Sequence, residues 1–303
     1  MAQDKQRKRI DAAQDLFAKY KDLFRCPVYG KELAVNKTNS LVCQRGHNYD
    51  LAKQGYVNLL LKQGKSDYDK KLFAARRVIS ASGFFEPMLN TVSKLISKEA
   101  AREASDGIRL LDVGCGEGSH LARIISNLEG KKTPHLFGVG IDLSKEGIRV
   151  AAKEHQRIIW CVADLAKLPL QKEQFDVVLN ILAPANYGEF KRVLKEHGLL
   201  IKVVPASNYL IELREILFKG TDQEFYNNDS VKQHFANNFR LIKEEQICYK
   251  VMLKGDNLEH LIKMTPLTWN ANQEQLDEII KVGLASITVA FDVLVGERGP
   301  KAP

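Results

Sequence analysis

Cysteine is scarce in this chain: there are five in 303 residues, an odd number without the spacing of a disulfide framework. That usage belongs to a reducing compartment rather than to a secreted, disulfide-stapled fold. Long apolar runs are missing as well, since stretches such as FDVVLNILA fall far short of the roughly 20 residues a membrane span needs. The opening residues, MAQDKQRKRIDAAQDLF, are charged and lack the apolar core of a signal peptide. A cytoplasmic protein is therefore expected. Internal repeats and low-complexity tracts are absent. The histidines at 120, 135, 155, 197, 234 and 260 form no i, i+4 pair and no metal-ligand spacing.

The chain is long enough for one large α/β domain plus a smaller module, and its 45% hydrophobic content is that of a globular protein. Its net charge of +8 is unevenly placed. Residues 1–77 carry 17 Lys/Arg against 8 Asp/Glu, a surplus of nine, whereas the remainder carries 28 against 29. A basic leader can simply be a solvated face, but it also suits a polyanion such as RNA.

Apolar positions at Ile10, Ala13, Leu16, Phe17, Tyr20 and Phe24 make a helical stripe on a charged segment. CPVYGKELAVNKTNSLVCQRGH follows, in the layout of a small zinc ribbon. Cys26, Cys43 and His47 stand at ligand positions, Tyr29 stands where a second knuckle cysteine belongs, and no other cysteine among residues 1–77 can substitute. KKLFAARRVISA predicts a helix ending at Gly83, and a second helix starts after Pro87. From residue 108 short β-branched runs alternate with amphipathic helices, which predicts a doubly wound, Rossmann-like parallel sheet. QICYKVML and SITVAFDVLV add two strand-like runs near the end. The expected division is a basic helix plus ribbon-like module over residues 1–65 and an α/β domain over residues 66–303.

LLDVGCGEGSH, residues 110–120, lies at the first strand-to-helix turn of that sheet. Its glycines, Gly114, Gly116 and Gly118, let the backbone approach a ligand closely. Dinucleotide enzymes place G-x-G-x-x-G here. The G-x-G-x-G spacing behind Asp112 suits a nucleoside without a pyrophosphate, S-adenosylmethionine, with Asp112 toward its methionine end. Asp142 closes the second strand, where a carboxylate can accept from ribose hydroxyls, and Asp164 closes the third, where it can meet adenine. Three acids in register with the glycine loop predict a class I methyltransferase site.

FRCP, CQRGHNYDLAKQGYVNLL, ARRVISASGFFEP, LLDVGCGEG, APANYGEFKRVLKEHGLLIKVVP and KMTPLTW together resemble the RlmA family of 23S ribosomal RNA guanine N-1 methyltransferases, most closely its Gram-positive, tylosin-resistance-type branch. The likeness runs from residue 24 to about 295. It implies a 23S ribosomal RNA hairpin as partner and leaves a homodimer open. It also implies an aromatic residue against the cofactor, which falls on Phe85, and puts Gly116, Glu117 and Gly118 in the cofactor loop. Tyr209 stands where related proteins have a histidine near the cofactor. For the N-1 proton the strand end NILAPANYGEF offers Asn180, whose amide could orient a base, and Glu189, which could accept a proton or simply open a helix. Methylation of another RNA or of a small molecule, and RNA binding without catalysis, stay open at this level. Residues 1–65 are expected to be removable without loss of cofactor binding.

Overall fold

The computed structural model describes residues 2–36, 38–61, 70–100, 107–129 and 135–299. The expected boundary between residues 65 and 66 lies outside them. In chain order the elements are α1 (Ala2–Lys19), β1 (Ala34–Val35), β2 (Ser40–Val42), β3 (Asn48–Asp50), β4 (Tyr56–Asn58), α2 (Lys70–Ala81), α3 (Glu86–Leu95), β5 (Ile108–Val113) and α4 (Ser119–Leu128). Then come β6 (Leu136–Asp142), α5 (Lys145–Glu154), β7 (Ile159–Val162), β8 (Phe175–Ile181), α6 (Tyr187–Val193), β9 (Leu194–Pro205), α7 (Ile211–Phe218), α8 (Asp229–Ala236), β10 (Arg240–Met252), α9 (Asn257–Met264), α10 (Gln273–Val282) and β11 (Ser286–Glu297).

Eight strands form one sheet in the order β10-β11-β9-β8-β5-β6-β7-β4. The strands from β9 to β4 run parallel, and β10 and β11 add an antiparallel pair at the far edge. Strand order reverses between β5 and β8, so a crevice opens at their carboxyl ends, where such sheets bind ligands. Alternation along the strands separates two cores. Leu110, Val177, Leu179 and Ile201 face one layer, and Leu111, Val113, Val139 and Val178 face the other.

The second layer is covered differently from what the strand–helix alternation suggests. No helix connects β7 to β8. The N-terminal residues take that place: Phe17, Leu23, Phe24, Leu33, Leu41 and Val57 are all nearly fully buried in the same cluster as β5, β6 and β7. Tyr20 stacks on Phe137 of β6 with centroids 3.6 Å apart. Backbone bonds from Arg25 N to Pro169 O (3.0 Å) and from Gln171 N to Leu23 O (2.8 Å) clip the β7–β8 connection to the module. β4 itself is the outer strand of the large sheet, paired with β7. The three-stranded ribbon β1-β2-β3 is thus tied to the α/β body through both its entry and its exit, packing that the expectation of a removable front module did not include. The helix expected over EFKRVLKE is also shorter than its pattern, because Leu194 onward pairs with β8 as strand.

Candidate active site

β5 delivers the glycine loop to the crevice. Gly114 and Cys115 donate to Ile141 O at 2.8 and 3.1 Å, anchoring the loop on β6. Gly118 caps α4 at φ 83°, and a Cβ there would lie 2.5 Å from the Trp160 ring. A Cβ on Gly114, at φ 84°, would lie 2.5 Å from Ala183 Cβ. Both positions combine left-handed backbone with no room for a side chain, so glycine is required.

The acids gather around this loop. Asp112 is 1% exposed, and its Oδ1 has no hydrogen-bond partner among the described residues. Burial pushes its carboxyl up to about 7; Arg76 of α2 opposes this and the charges of Asp142 and Glu117 reinforce it. Asp142 accepts from Gly116 N (2.8 Å) and Ser144 N (2.7 Å), and burial still holds its carboxyl above the ordinary value. Glu117, buried at 2%, accepts from the Ser119 amide and hydroxyl, with Arg76 Nε 3.9 Å away. Asp164 is exposed just beyond β7 and accepts from Ala166 N at 2.8 Å. A Cβ on Gly116 would sit 3.2 Å from Arg76 Nη1, so α2 lies directly over the loop.

An orphaned carboxylate oxygen beneath a glycine cradle is what an ammonium-bearing ligand would satisfy, and an unpaired buried carboxylate is otherwise costly. These residues therefore fit S-adenosylmethionine.

A cavity of about 640 Å³ lies over the ends of β8 and β9, with Arg76 on its wall. Phe85 and Tyr209 line it; Phe85 packs edge-on against the buried His120 (4.7 Å) and Tyr209 against Phe291 (5.0 Å). Burial drives His120 down to about 3, so it serves as a neutral ring behind Phe85. Leu182 and Leu210 flank the cavity at φ 53°, a conformation L-residues adopt at a cost of about 1–2 kcal/mol. A larger groove of about 1020 Å³ runs along the other side of α2 and is lined by Glu117, Ser119 and His120, with Arg123 paired to Glu86 and Arg77 to Glu154.

The two candidate catalytic residues are both held by bonds within the protein, and Glu189 stands in the first turn of α6, one of the two readings its sequence allowed. Asn180 is fully buried, and its amide donates to Val113 O (3.2 Å) and Pro184 O (2.9 Å) while its Oδ1 accepts from Lys202 Nζ (2.6 Å). It ties the end of β5 to the loop after β8, and both its donors are spent on that task. Glu189 is absent from the cavity wall. Its oxygens accept from Leu168 N (2.7 Å) and from Arg192 Nε and Nη2 (both 2.7 Å). Burial pushes its carboxyl up, but Arg192, the Leu168 amide and Arg25 outweigh it and hold the group below its ordinary value. These bonds clip α6 to the β7–β8 connection. Glu189→Gln is expected to leave methyl transfer within about threefold of wild type while costing about 1–3 kcal/mol in urea unfolding. A hundredfold loss of rate would restore it to the chemistry.

Arg76 and Lys202 are the residues that sequence reasoning missed. A lysine inside the apolar run GLLIKVVP was a signal in plain view.

In the ribbon, Cys26 Sγ, Cys43 Sγ and His47 Nδ1 lie within 4.8 Å of one another. Nδ1 is 3.5 Å from Cys26 Sγ and 3.2 Å from Cys43 Sγ. Tetrahedral zinc, with bonds of about 2.3 Å to sulfur and about 2.0 Å to nitrogen, puts the two ligand atoms about 3.5 Å apart. Three donors therefore fit the metal. The fourth corner has no thiol: Tyr29 donates its backbone N–H to Cys26 Sγ (3.3 Å), and its ring lies under Arg45, 4.0 Å from the guanidinium carbon. The Tyr49 hydroxyl lies 3.4 Å from Cys26 Sγ. Tyr29→Cys is expected to tighten zinc binding by at least tenfold in chelator competition, because the turn already places residue 29 beside Cys26. Unchanged affinity would mean that the turn does not aim residue 29 at the metal.

The family described as "Methyltransferase domain" matches residues 104–278, and that described as "RlmA, N-terminal", a zinc ribbon, matches residues 24–67. The chain is 41% identical over 279 residues to a putative 23S rRNA (guanine-N(1)-)-methyltransferase of Bacillus subtilis, covering 91% of this chain and 97% of the relative. The chain belongs to the RlmA family of methyltransferases. Another RlmA relative, the 23S rRNA (guanine(748)-N(1))-methyltransferase of Streptomyces fradiae, is 31% identical, with 89% of this chain and 95% of the relative covered. Among solved structures, a putative methyltransferase from an antibiotic biosynthesis pathway of Anabaena variabilis superposes with a TM-score of 0.50 at 15% identity, covering 69% of this chain and 96% of that one, a likeness of fold alone. RlmA membership accounts for both halves of the chain: the glycine loop with its acids, and the ribbon with its three donors. No helix among the described residues is long and apolar enough to cross a membrane.

Proposed function

We propose that this chain transfers a methyl group from S-adenosylmethionine to N-1 of a guanine in a hairpin loop of 23S ribosomal RNA, in the cytoplasm. The observation that carries the reading is the 640 Å³ cavity, which shares Arg76 with the glycine loop and is walled by the flat side chains of Phe85, Tyr187, Tyr209, Tyr226 and Trp269. Its volume is that of a small-molecule site, and its rings suit a single base turned out of its stack. The names of the Bacillus and Streptomyces relatives supply the nucleotide and the atom.

When bound, S-adenosylmethionine supplies a methyl group on an electrophilic sulfonium. Alignment of the nucleophile is then the main task, and positioning of this kind is worth up to roughly 7–11 kcal/mol. Asp112 would hold the methionine amino group, Asp142 the ribose hydroxyls and Asp164 the adenine amino group. The Asp142 oxygens keep free lone pairs beside the two amide bonds they already accept. Phe85 and Tyr209 would flank the methyl end. N-1 lies on the Watson–Crick edge, which is paired in a duplex, so the target has to come from a loop or be flipped. Exposed Lys19, Lys21, Lys31, Arg45 and Lys53 on the front module would hold the RNA backbone. Zinc on Cys26, Cys43 and His47 would knit the ribbon that presents them.

The test is incubation of unmodified 23S ribosomal RNA with the enzyme and labelled cofactor, followed by reverse transcription. Methyl on N-1 blocks base pairing, so a single strong stop at one loop guanine is expected. Label on no RNA, or on an atom that allows read-through, would end this reading. Light scattering of the purified chain tests the homodimer.

A further inference from the structure

The cavity holds a charged group that the cofactor does not explain. Lys202 stands on β9 as the direct partner of Asn180 on β8, in the middle of a run that is otherwise apolar. The residue is 4% exposed and lines the cavity beside Ala183 and Pro184. Its Nζ donates to Asn180 Oδ1 at 2.6 Å and to Ala183 O at 3.2 Å. Both partners are neutral carbonyls, and among the described residues no carboxylate pairs with it. A lysine bonded in this way uses two of its N–H groups and keeps one tetrahedral position, filled by a proton in the ammonium and by a lone pair in the amine.

We infer that Lys202 is the proton acceptor for guanine N-1, its two carbonyl bonds aiming the remaining position of Nζ at the base. The inference rests on the proposed guanine N-1 reaction and supplies what Glu189 and Asn180 do not. As N-1 bonds to the methyl carbon, the carbon–sulfur electron pair stays with sulfur, and the N-1 proton passes to Nζ. The positive charge of the sulfonium is replaced by that of the new ammonium, which returns its proton to solvent when the product leaves. Burial lowers the Lys202 ammonium to about 8, so the amine is accessible near neutral pH, where an ordinary lysine would hold its proton. The other titratable groups on the cavity are Arg76 from α2, Tyr187 from α6, Tyr209 after β9, Tyr226 before α8 and His234 on α8. None supplies a carboxylate that would lift Lys202 again.

Single-turnover methylation of ribosomal RNA by the full chain, with saturating cofactor between pH 6 and 9.5, tests this. The wild-type rate is expected to rise tenfold per pH unit and to level near pH 8. Lys202→Met is expected to lose about 10²–10⁴ in rate and the inflection with it, with cofactor affinity held within about threefold. Lys202→Arg, which keeps the charge but cannot give up its proton, is expected to be as slow at every pH. Lys202→Gln can still donate to Ala183 O and is expected to remain slow. If Arg or Gln supports the wild-type rate, or if the inflection survives in either, Lys202 is a positioning residue and the inference is overturned. These two variants decide the matter even where Lys202→Met fails to fold. A wild-type enzyme that leaves guanine N-1 unmodified would overturn the proposed function instead, an outcome read before any variant is made.

Discussion

Removal of residues 1–65 is expected to destroy the fold of the entire chain, not merely its hold on RNA. The truncated protein should show no cooperative unfolding transition by circular dichroism and no cofactor binding by calorimetry. The reason lies in the sheet. Phe17, Leu23, Phe24, Leu33, Leu41 and Val57 share one buried cluster with Leu111, Val113, Val139 and Ile159 from the central strands. In a doubly wound sheet the β7–β8 crossover would normally supply a helix for that face, and here an irregular connection runs there, clipped to residues 23–25 by backbone bonds. Truncating a single buried phenylalanine costs about 3–5 kcal/mol, and a domain has only about 5–15 kcal/mol in hand. Six large side chains lost together, with β4 removed from the sheet edge, exceed that margin. A truncated chain that unfolds cooperatively and binds cofactor would show the cluster to be dispensable. A milder probe points the same way: Phe24→Ala in the full chain should lower stability by about 3–5 kcal/mol although it lies far along the chain from the glycine loop.

Much of the α/β body was legible because its signals are local. KKLFAARRVISA gives α2 over its full length, and IRLLDV gives β5. The glycine spacing and the strand-end acids place the loop because sterics and strand direction determine them. What stayed hidden depends on contacts between distant parts. Nothing in YVN says that it pairs with a strand a hundred residues later, nor does the spacing between β7 and β8 show which segment covers that face. Glu189 read as a helix-opening carboxylate or a proton acceptor, and only the approach of the Leu168 amide and the Arg192 guanidinium decides between them. Tyr29 marks the missing ligand in the sequence, but the nearness of Tyr49 to Cys26 appears only in the folded ribbon. Lys202 is the instructive omission. A charged residue in a buried strand violates the local pattern, and such violations cluster at functional sites.

Asp112→Asn is expected to change stability and cofactor binding in opposite directions. In the absence of cofactor Asp112 is buried with one oxygen unpaired, and its carboxyl is raised to about 7. Because the folded value lies above the unfolded one, the folded chain binds the proton more tightly. Stability from this group is therefore full in acid and declines as pH rises from about 4 to about 7, by an amount on the order of 4 kcal/mol. The neutral amide removes that penalty, so at pH 8 the variant should melt several degrees higher than wild type without cofactor, at about 1.6 °C per kcal/mol for a chain of this size. The cofactor's ammonium reverses the logic: it requires the carboxylate and gives it a partner. Wild-type affinity should accordingly rise as pH climbs from about 5 toward 7 and then level, with a proton released on binding. The variant should bind about 10–100-fold more weakly at pH 8 and show no such rise, since a charged hydrogen bond is worth about 1.5–3 kcal/mol. Calorimetry in buffers of different ionisation enthalpy measures both quantities at once. A variant that is less stable than wild type at pH 8, or whose affinity still follows pH as the wild type does, would show that Asp112 is not the group that meets the cofactor. On the proposed reading, the stability lost at Asp112 in the empty enzyme would be recovered when the cofactor's ammonium pairs with the carboxylate.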